Sequence, residues 1–90
     1  MAYWVYILRC ADGTLYTGIT NDLARRIALH NDGRGARYTR GRGPVALLYR
    51  EACPDRAAAS RREYAIKRMS RADKLRLIAA GSSEETTPLG

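Results

Sequence analysis

The chain predicts a small α/β domain of the α+β kind, a three-stranded and mostly antiparallel sheet flanked by helices. Three observations predict it. Two β-rich runs, 3–8 and 14–18, stand either side of Asp12-Gly13, a strong hairpin turn signal. Apolar residues recur at helical spacing in 23–30 and 56–69, with one short apolar run between them. The length, 90 residues, suffices for one modest core and not for two, so the domain is expected over 1–80, with 81–90 as a disordered tail.

Tyr3 to Leu8 reads Tyr-Trp-Val-Tyr-Ile-Leu, an unbroken apolar run that suits a strand covered on both faces. Its register with the next strand decides where the tyrosines point. With Asp12 and Gly13 alone as the loop, Arg9 pairs with Tyr16, and Tyr6 and Tyr16 lie on opposite sides of the sheet. With a loop of Ala11, Asp12 and a left-handed Gly13, Leu8 pairs with Tyr16 and Tyr6 with Gly18, and the tyrosines share a face. In that register Gly18 leaves the sheet open beside Tyr6, for a substrate or a close-packed neighbour.

Leu23 and Ile27 mark the buried stripe of a first helix from Asp22 to His30, capped by Thr20, Asn21 or Asp22. Arg26 follows Leu23 by three residues, and His30 follows Arg26 by four. A cation and an imidazole therefore stand one turn apart, on the border of the face that meets the sheet.

Asn31-Asp32-Gly33 ends this helix. The stretch from Gly33 to Gly43 holds four glycines and four arginines, Arg34, Arg37, Arg40 and Arg42, around Tyr38 and Thr39. Interleaved Arg, Gly and an aromatic suit a segment that settles on a phosphate backbone, with Tyr38 free to stack or hydrogen-bond. A merely solvated loop is the competing reading. The whole chain leans toward the first: its net charge of +7 and pI near 10.0 favour polyanions, of which nucleic acid is the commonest.

Pro44 to Arg50 is the expected third strand, with Pro44 at its start, where a missing donor does least harm. Asp55 or a neighbour then caps a helix from Arg56 to Met69, with Ala59, Ile66 and Met69 toward the core. Glu63 lies on the same stripe. A carboxylate there needs a reason, because burying it alone is costly. The spacing favours an ion pair with Arg26, Arg62 or Lys67 over a metal. Ser70 to Asp73 resembles a capping box for a last helix anchored by Leu75, Leu77 and Ile78 and ended by Gly81.

Cys10 and Cys53 are too few and too far apart for a metal signature or a disulfide framework, and read as small buried hydrophobes. No apolar run approaches the roughly 20 residues needed to span a bilayer, and no signal-peptide pattern opens the chain. A reducing, cytoplasmic setting without membrane contact is expected.

With these residues in view, the chain resembles a GIY-YIG nuclease domain, specifically the small single-domain UPF0213 proteins, from about Tyr3 to Ile78. The first family motif corresponds to Trp4-Val5-Tyr6 and the second to Tyr16-Thr17-Gly18. The helix motif with Arg and His four apart falls on Arg26 and His30, and the helical glutamate on Glu63. Trp4 stands where many members have Gly, and Thr17 replaces the middle Ile. No Asn follows Asn31, so the family's C-terminal Asn has no counterpart.

The resemblance implies a metal-dependent DNA endonuclease, structure-selective or nicking, in DNA repair or processing. It implies one divalent ion, Mg²⁺ or Mn²⁺, held by Glu63, and a catalytic set of Tyr6, Tyr16, Arg26, His30 and Glu63. Arg26 would stabilise a phosphorane-like transition state. Tyr6 would be the general base toward an attacking water, with Tyr16 and His30 ordering that network. Because a free tyrosine titrates near pH 10, roughly, Arg26 and the metal would have to favour the phenolate, or His30 relay the proton. Lys67 is counted with the loop arginines as a nucleic-acid contact. DNA is the implied partner, branched and single-stranded forms included, and a protein partner could supply specificity. The competing function is a non-catalytic nucleic-acid-binding module of the same fold; contact with an acidic protein has no feature in its support.

Overall fold

The computed structural model describes residues 2–33 and 43–81. Its elements run β1 (Tyr3–Arg9), β2 (Leu15–Thr20), α1 (Leu23–Asn31), β3 (Ala46–Cys53), α2 (Arg56–Lys67) and α3 (Arg71–Ala80). The sheet order is β2-β1-β3 with both pairings antiparallel, so the expected α+β architecture is the one observed. The expected phosphate-binding residues Arg34, Arg37, Tyr38, Arg40 and Arg42, and the tail from residue 82, lie outside the described residues.

The hairpin takes the longer loop. Leu8 pairs with Tyr16 and Tyr6 with Gly18. The Cys10 amide donates to the Thr14 carbonyl at 2.8 Å, and the Gly13 amide donates back to Cys10 at 2.9 Å. Gly13 has a φ of 87°, but no non-glycine among the described residues has a positive φ, so Asp12 does not take the type I′ turn that a two-residue loop would need.

Central β1 separates two cores, as its unbroken apolar run requires. On one face Tyr6, Leu8, Cys10 and Val45 pack with Tyr16, Leu23 and Ile27, so this layer is α1. On the other, Val5, Ile7, Tyr49 and Cys53 meet Ala59 and Ile66 of α2, with Leu77 and Ile78 of α3 against them. Both cysteines are free and buried.

The caps follow the local chemistry. Asp22 accepts from the Arg25 amide at 3.2 Å, and Asp55 accepts from the Ala58 amide at 2.8 Å. Ser70 accepts from the Asp73 amide at 3.1 Å, but Asp73 engages Arg76 instead of reaching back, so the capping box is only half made.

Three expected boundaries shift. Strand β3 starts at Ala46 because Pro44 offers no N–H and the Val45 amide donates to Asn31 Oδ1 at 2.8 Å. It continues to Cys53 because β1 pairs with it as far back as Tyr3, and a bulge falls where Ile7 pairs with Tyr49 but Leu8 with Leu47. Helix α2 stops at Lys67, where the Arg68 amide bends back to the Tyr64 and Ala65 carbonyls; Met69 still packs on the core. Leu75, expected to anchor α3, is instead exposed.

Candidate active site

Tyr6 and His30 form the centre of the α1 layer. The Tyr6 hydroxyl lies 3.0 Å from Nε2 of His30, and both side chains are buried, at 0% and 1% exposure. Strand β1 aims the phenol across its neighbour at Gly18, and the last turn of α1 brings the imidazole over it. Tyr16 completes the group, its ring centroid 6.3 Å from Tyr6 and 5.2 Å from His30. Tyr16 is only half-buried, so it forms the rim.

The open space expected beside Tyr6 is taken by Tyr6 itself. A Cβ at position 18 would stand 2.6 Å from its hydroxyl oxygen and 3.0 Å from Cε2 of Tyr16. The glycine of the second motif therefore makes room for two phenols rather than for a ligand.

Electrostatics divides the group. Burial pushes the Tyr6 phenol up to about 12, with Tyr16 and Glu63 adding to the rise and the Arg26 guanidinium opposing it. Burial, then the charge of Arg26, lowers the His30 pKa from its ordinary 6.5, so the imidazole is neutral at pH 7. Arg26 thus acts on both groups, and its Nε is buried with no hydrogen-bond partner among the described residues.

Glu63 comes from the other layer. It sits on α2 between Ala59 and Ile66, which pack on the face of the sheet opposite Tyr6. Tyr6, Tyr16, Arg26 and His30 therefore lie in the α1 layer, whereas Glu63 is carried by the helix of the other layer. Its charge still reaches the Tyr6 phenol. Of the three partners weighed for it, Lys67 is the one found, at 3.2 Å. Arg62 turns instead to Glu51 at 3.0 Å, where the Tyr49 hydroxyl also donates at 2.8 Å, tying α2 to β3.

The sequence from residue 2 to 76 matches the family model described as the GIY-YIG catalytic domain. This chain belongs to the GIY-YIG family. Among its relatives are UPF0213 proteins of Desulfotalea psychrophila, 61% identical over 88% of this chain and 73% of that one, and of Clostridium perfringens, 54% identical over 91% and 88%. The solution structure of a UPF0213 protein from Bacillus halodurans is similar, with a TM-score of 0.60 and 47% identity over 100% of this chain and 98% of that one. A protein from E. faecalis, also solved by NMR, gives 0.62 and 34% identity over 89% and 85%.

Within this GIY-YIG chain the motif residues occupy separate elements, and strand register explains why Tyr6, Tyr16 and Gly18 meet. No group of three or more His, Cys, Asp or Glu able to hold a metal occurs among the described residues. A single carboxylate is nonetheless enough for Mg²⁺, which keeps several waters and takes its remaining oxygens from phosphate. Glu63 suits that mode, being partly solvent-accessible at 23% and held among the described residues by one exposed lysine. Also among the described residues, no helix is long and apolar enough to cross a membrane.

Proposed function

We propose that this protein is a cytoplasmic, metal-dependent DNA endonuclease that hydrolyses phosphodiester bonds, with Tyr6, Tyr16, Arg26, His30 and Glu63 as its working residues. The observation that carries this reading is the buried Tyr6–His30 pair beside Arg26, whose Nε has no partner among the described residues, in a chain of the GIY-YIG family.

The roles within the set differ from those first expected. Tyr6 is fully buried and its pKa is pushed up to about 12, so it remains a phenol and meets no water. Tyr16, at the rim, is the phenol able to face the nucleophile. As water attacks phosphorus, its proton passes to the Tyr16 oxygen while that hydroxyl's own proton moves toward the neutral imidazole. Nε2–H of His30 donates to the Tyr6 oxygen and so fixes the ring, leaving Nδ1 unprotonated at rest as the nitrogen that takes the Tyr16 proton. Arg26 directs its guanidinium at the charge growing on the non-bridging oxygens, where fixed charge is most effective. Glu63 would hold Mg²⁺ or Mn²⁺, which when bound draws charge from the phosphate and the leaving oxygen. The arginines between Gly33 and Gly43, with Lys67, would carry the flanking DNA, branched or nicked forms in repair or processing included.

One observation favours a second reading. Glu63 is paired with Lys67 on a helix of the layer opposite Tyr6, which suits a binding module that has kept the fold without catalysis. Incubation with supercoiled plasmid and flapped oligonucleotides in Mg²⁺ or Mn²⁺ separates the two. Cleavage abolished by EDTA and by Glu63→Gln supports the enzyme, and binding without cleavage supports the module.

A further inference from the structure

On the α2–α3 side of β2, Leu15, Tyr16, Thr17, Lys67 and Lys74 line a recess of about 310 Å³. A second, of about 220 Å³, is lined by Thr14, Leu15, Arg71 and Lys74, so the two share Leu15 and Lys74. Three cations line them and no carboxylate does. Arg71 is held in place by donating from Nη2 to the Gly13 carbonyl at 3.2 Å. Lys67 reaches Glu63, which joins the near end of this surface to the candidate catalytic centre.

Thr17 is the independent sign of a ligand. It faces the same side as Leu15 and Ile19, is 3% exposed, and its hydroxyl has no hydrogen-bond partner among the described residues. A buried hydroxyl left unpaired is destabilising, a cost that an apolar residue of the same shape would avoid.

We infer that Thr17, Lys67, Lys74 and Arg71 form a second phosphate-binding site, which takes the backbone of the nucleic-acid strand beyond the bond being cut. The inference rests on the nuclease reading for the identity of the ligand. The substrate would lie against the edge of β2, with the reacting phosphate on the Tyr16 side and its neighbours along α3. Two phosphate contacts would then come from Lys74 and Arg71, on an element that carries no motif residue.

The test is fluorescence anisotropy of a labelled thymidine oligonucleotide in EDTA across a salt series, for the full chain and three variants. Lys74→Ala with Arg71→Ala is expected to weaken binding roughly tenfold and to lower the slope of log affinity against log salt by about 1.4, at ~0.7 per lost contact on a single strand. Arg61→Ala with Arg76→Ala removes the same charge from outside both recesses and is expected to change the slope by less than half as much. Thr17→Val is expected to weaken binding while thermal stability holds or rises, which a structural role for the hydroxyl would not produce. Equal slopes for the two double variants, or an unchanged affinity for Thr17→Val, would overturn the site. Plasmid cleavage by the same proteins keeps the questions apart. A wild type that binds through these residues but never cleaves would end the enzymatic reading and leave the site standing.

Discussion

A side chain at position 18 would place its Cβ 2.6 Å from the hydroxyl oxygen of Tyr6 and 2.8 Å from Cζ, so Gly18 is the space in which the Tyr6 phenol lies. The phenol cannot move aside easily, because it is fully buried. Gly18→Ala is therefore expected to destabilise the fold by about 1–3 kcal/mol, as overpacking does, and to reduce cleavage at least tenfold. Urea unfolding and plasmid nicking measure the two. Adding Tyr6→Phe removes the shortest of these contacts, so the double variant should regain part of the stability and none of the activity.

Tyr6→Phe alone keeps the ring and its packing but leaves Nε2 of His30 buried without its partner. Loss of that bond is expected to cost about 1–3 kcal/mol and to free the imidazole to change tautomer. Nitrogen chemical shifts of His30 report the change directly. An unaltered His30 spectrum in Tyr6→Phe would show that the hydroxyl does not set the ring.

Much of this geometry was legible in the sequence, and the reasons are local. Asp12-Gly13 and the unbroken run from Tyr3 to Leu8 left two registers, and each fixed the faces of both tyrosines. Both loops accept a left-handed Gly13, and the choice between them depended on Asp12 keeping a negative φ, which spacing cannot decide. The separation of Arg26 and His30 placed both on one side of α1, since a helix repeats every 3.6 residues or so. What could not be read was which layer a helix joins. Glu63 lies on a core-facing stripe as expected, but the stripe belongs to the layer opposite Tyr6. Exposure was equally hidden: nothing in Trp4-Val5-Tyr6 says that Tyr6 is sealed while Tyr16 forms the rim. Thr17 stood only as the middle residue of the second motif and Arg71 only within a capping signal, and neither was linked to Lys74, because their proximity arises from the packing of α3 against the hairpin.

Stability should depend on pH at both ends. His30 has a folded pKa below 6.5, so below about pH 6.5 the unfolded chain binds a proton that the folded protein refuses. Stability then falls as pH drops from 7 to 5. Tyr6 and Tyr49 are pushed up to about 12, so above pH 10 the unfolded chain releases protons that the fold retains, and stability is lost as pH rises from 10 toward 12. Melting temperatures across both windows test this. His30→Gln should flatten the acid side and Tyr6→Phe part of the alkaline side, each leaving the other limb in place.

The role of Glu63 can be separated from that of its lysine. The Glu63–Lys67 pair is an i,i+4 contact with the ammonium half exposed, so Lys67→Ala is expected to cost no more than about 0.5 kcal/mol. If Glu63 only anchors that lysine, Glu63→Gln and Lys67→Ala should have the same small effect on cleavage. If it holds the divalent ion, Glu63→Gln should reduce cleavage by orders of magnitude and abolish the binding of Mn²⁺ measured by calorimetry, while DNA retention in EDTA is preserved. Lys67→Ala should then do the reverse. Freed of its cation, the carboxylate becomes more available to Mn²⁺, so metal affinity rises, whereas DNA retention falls with the loss of a phosphate contact. Opposite responses from two side chains 3.2 Å apart are what a shared structural role cannot give.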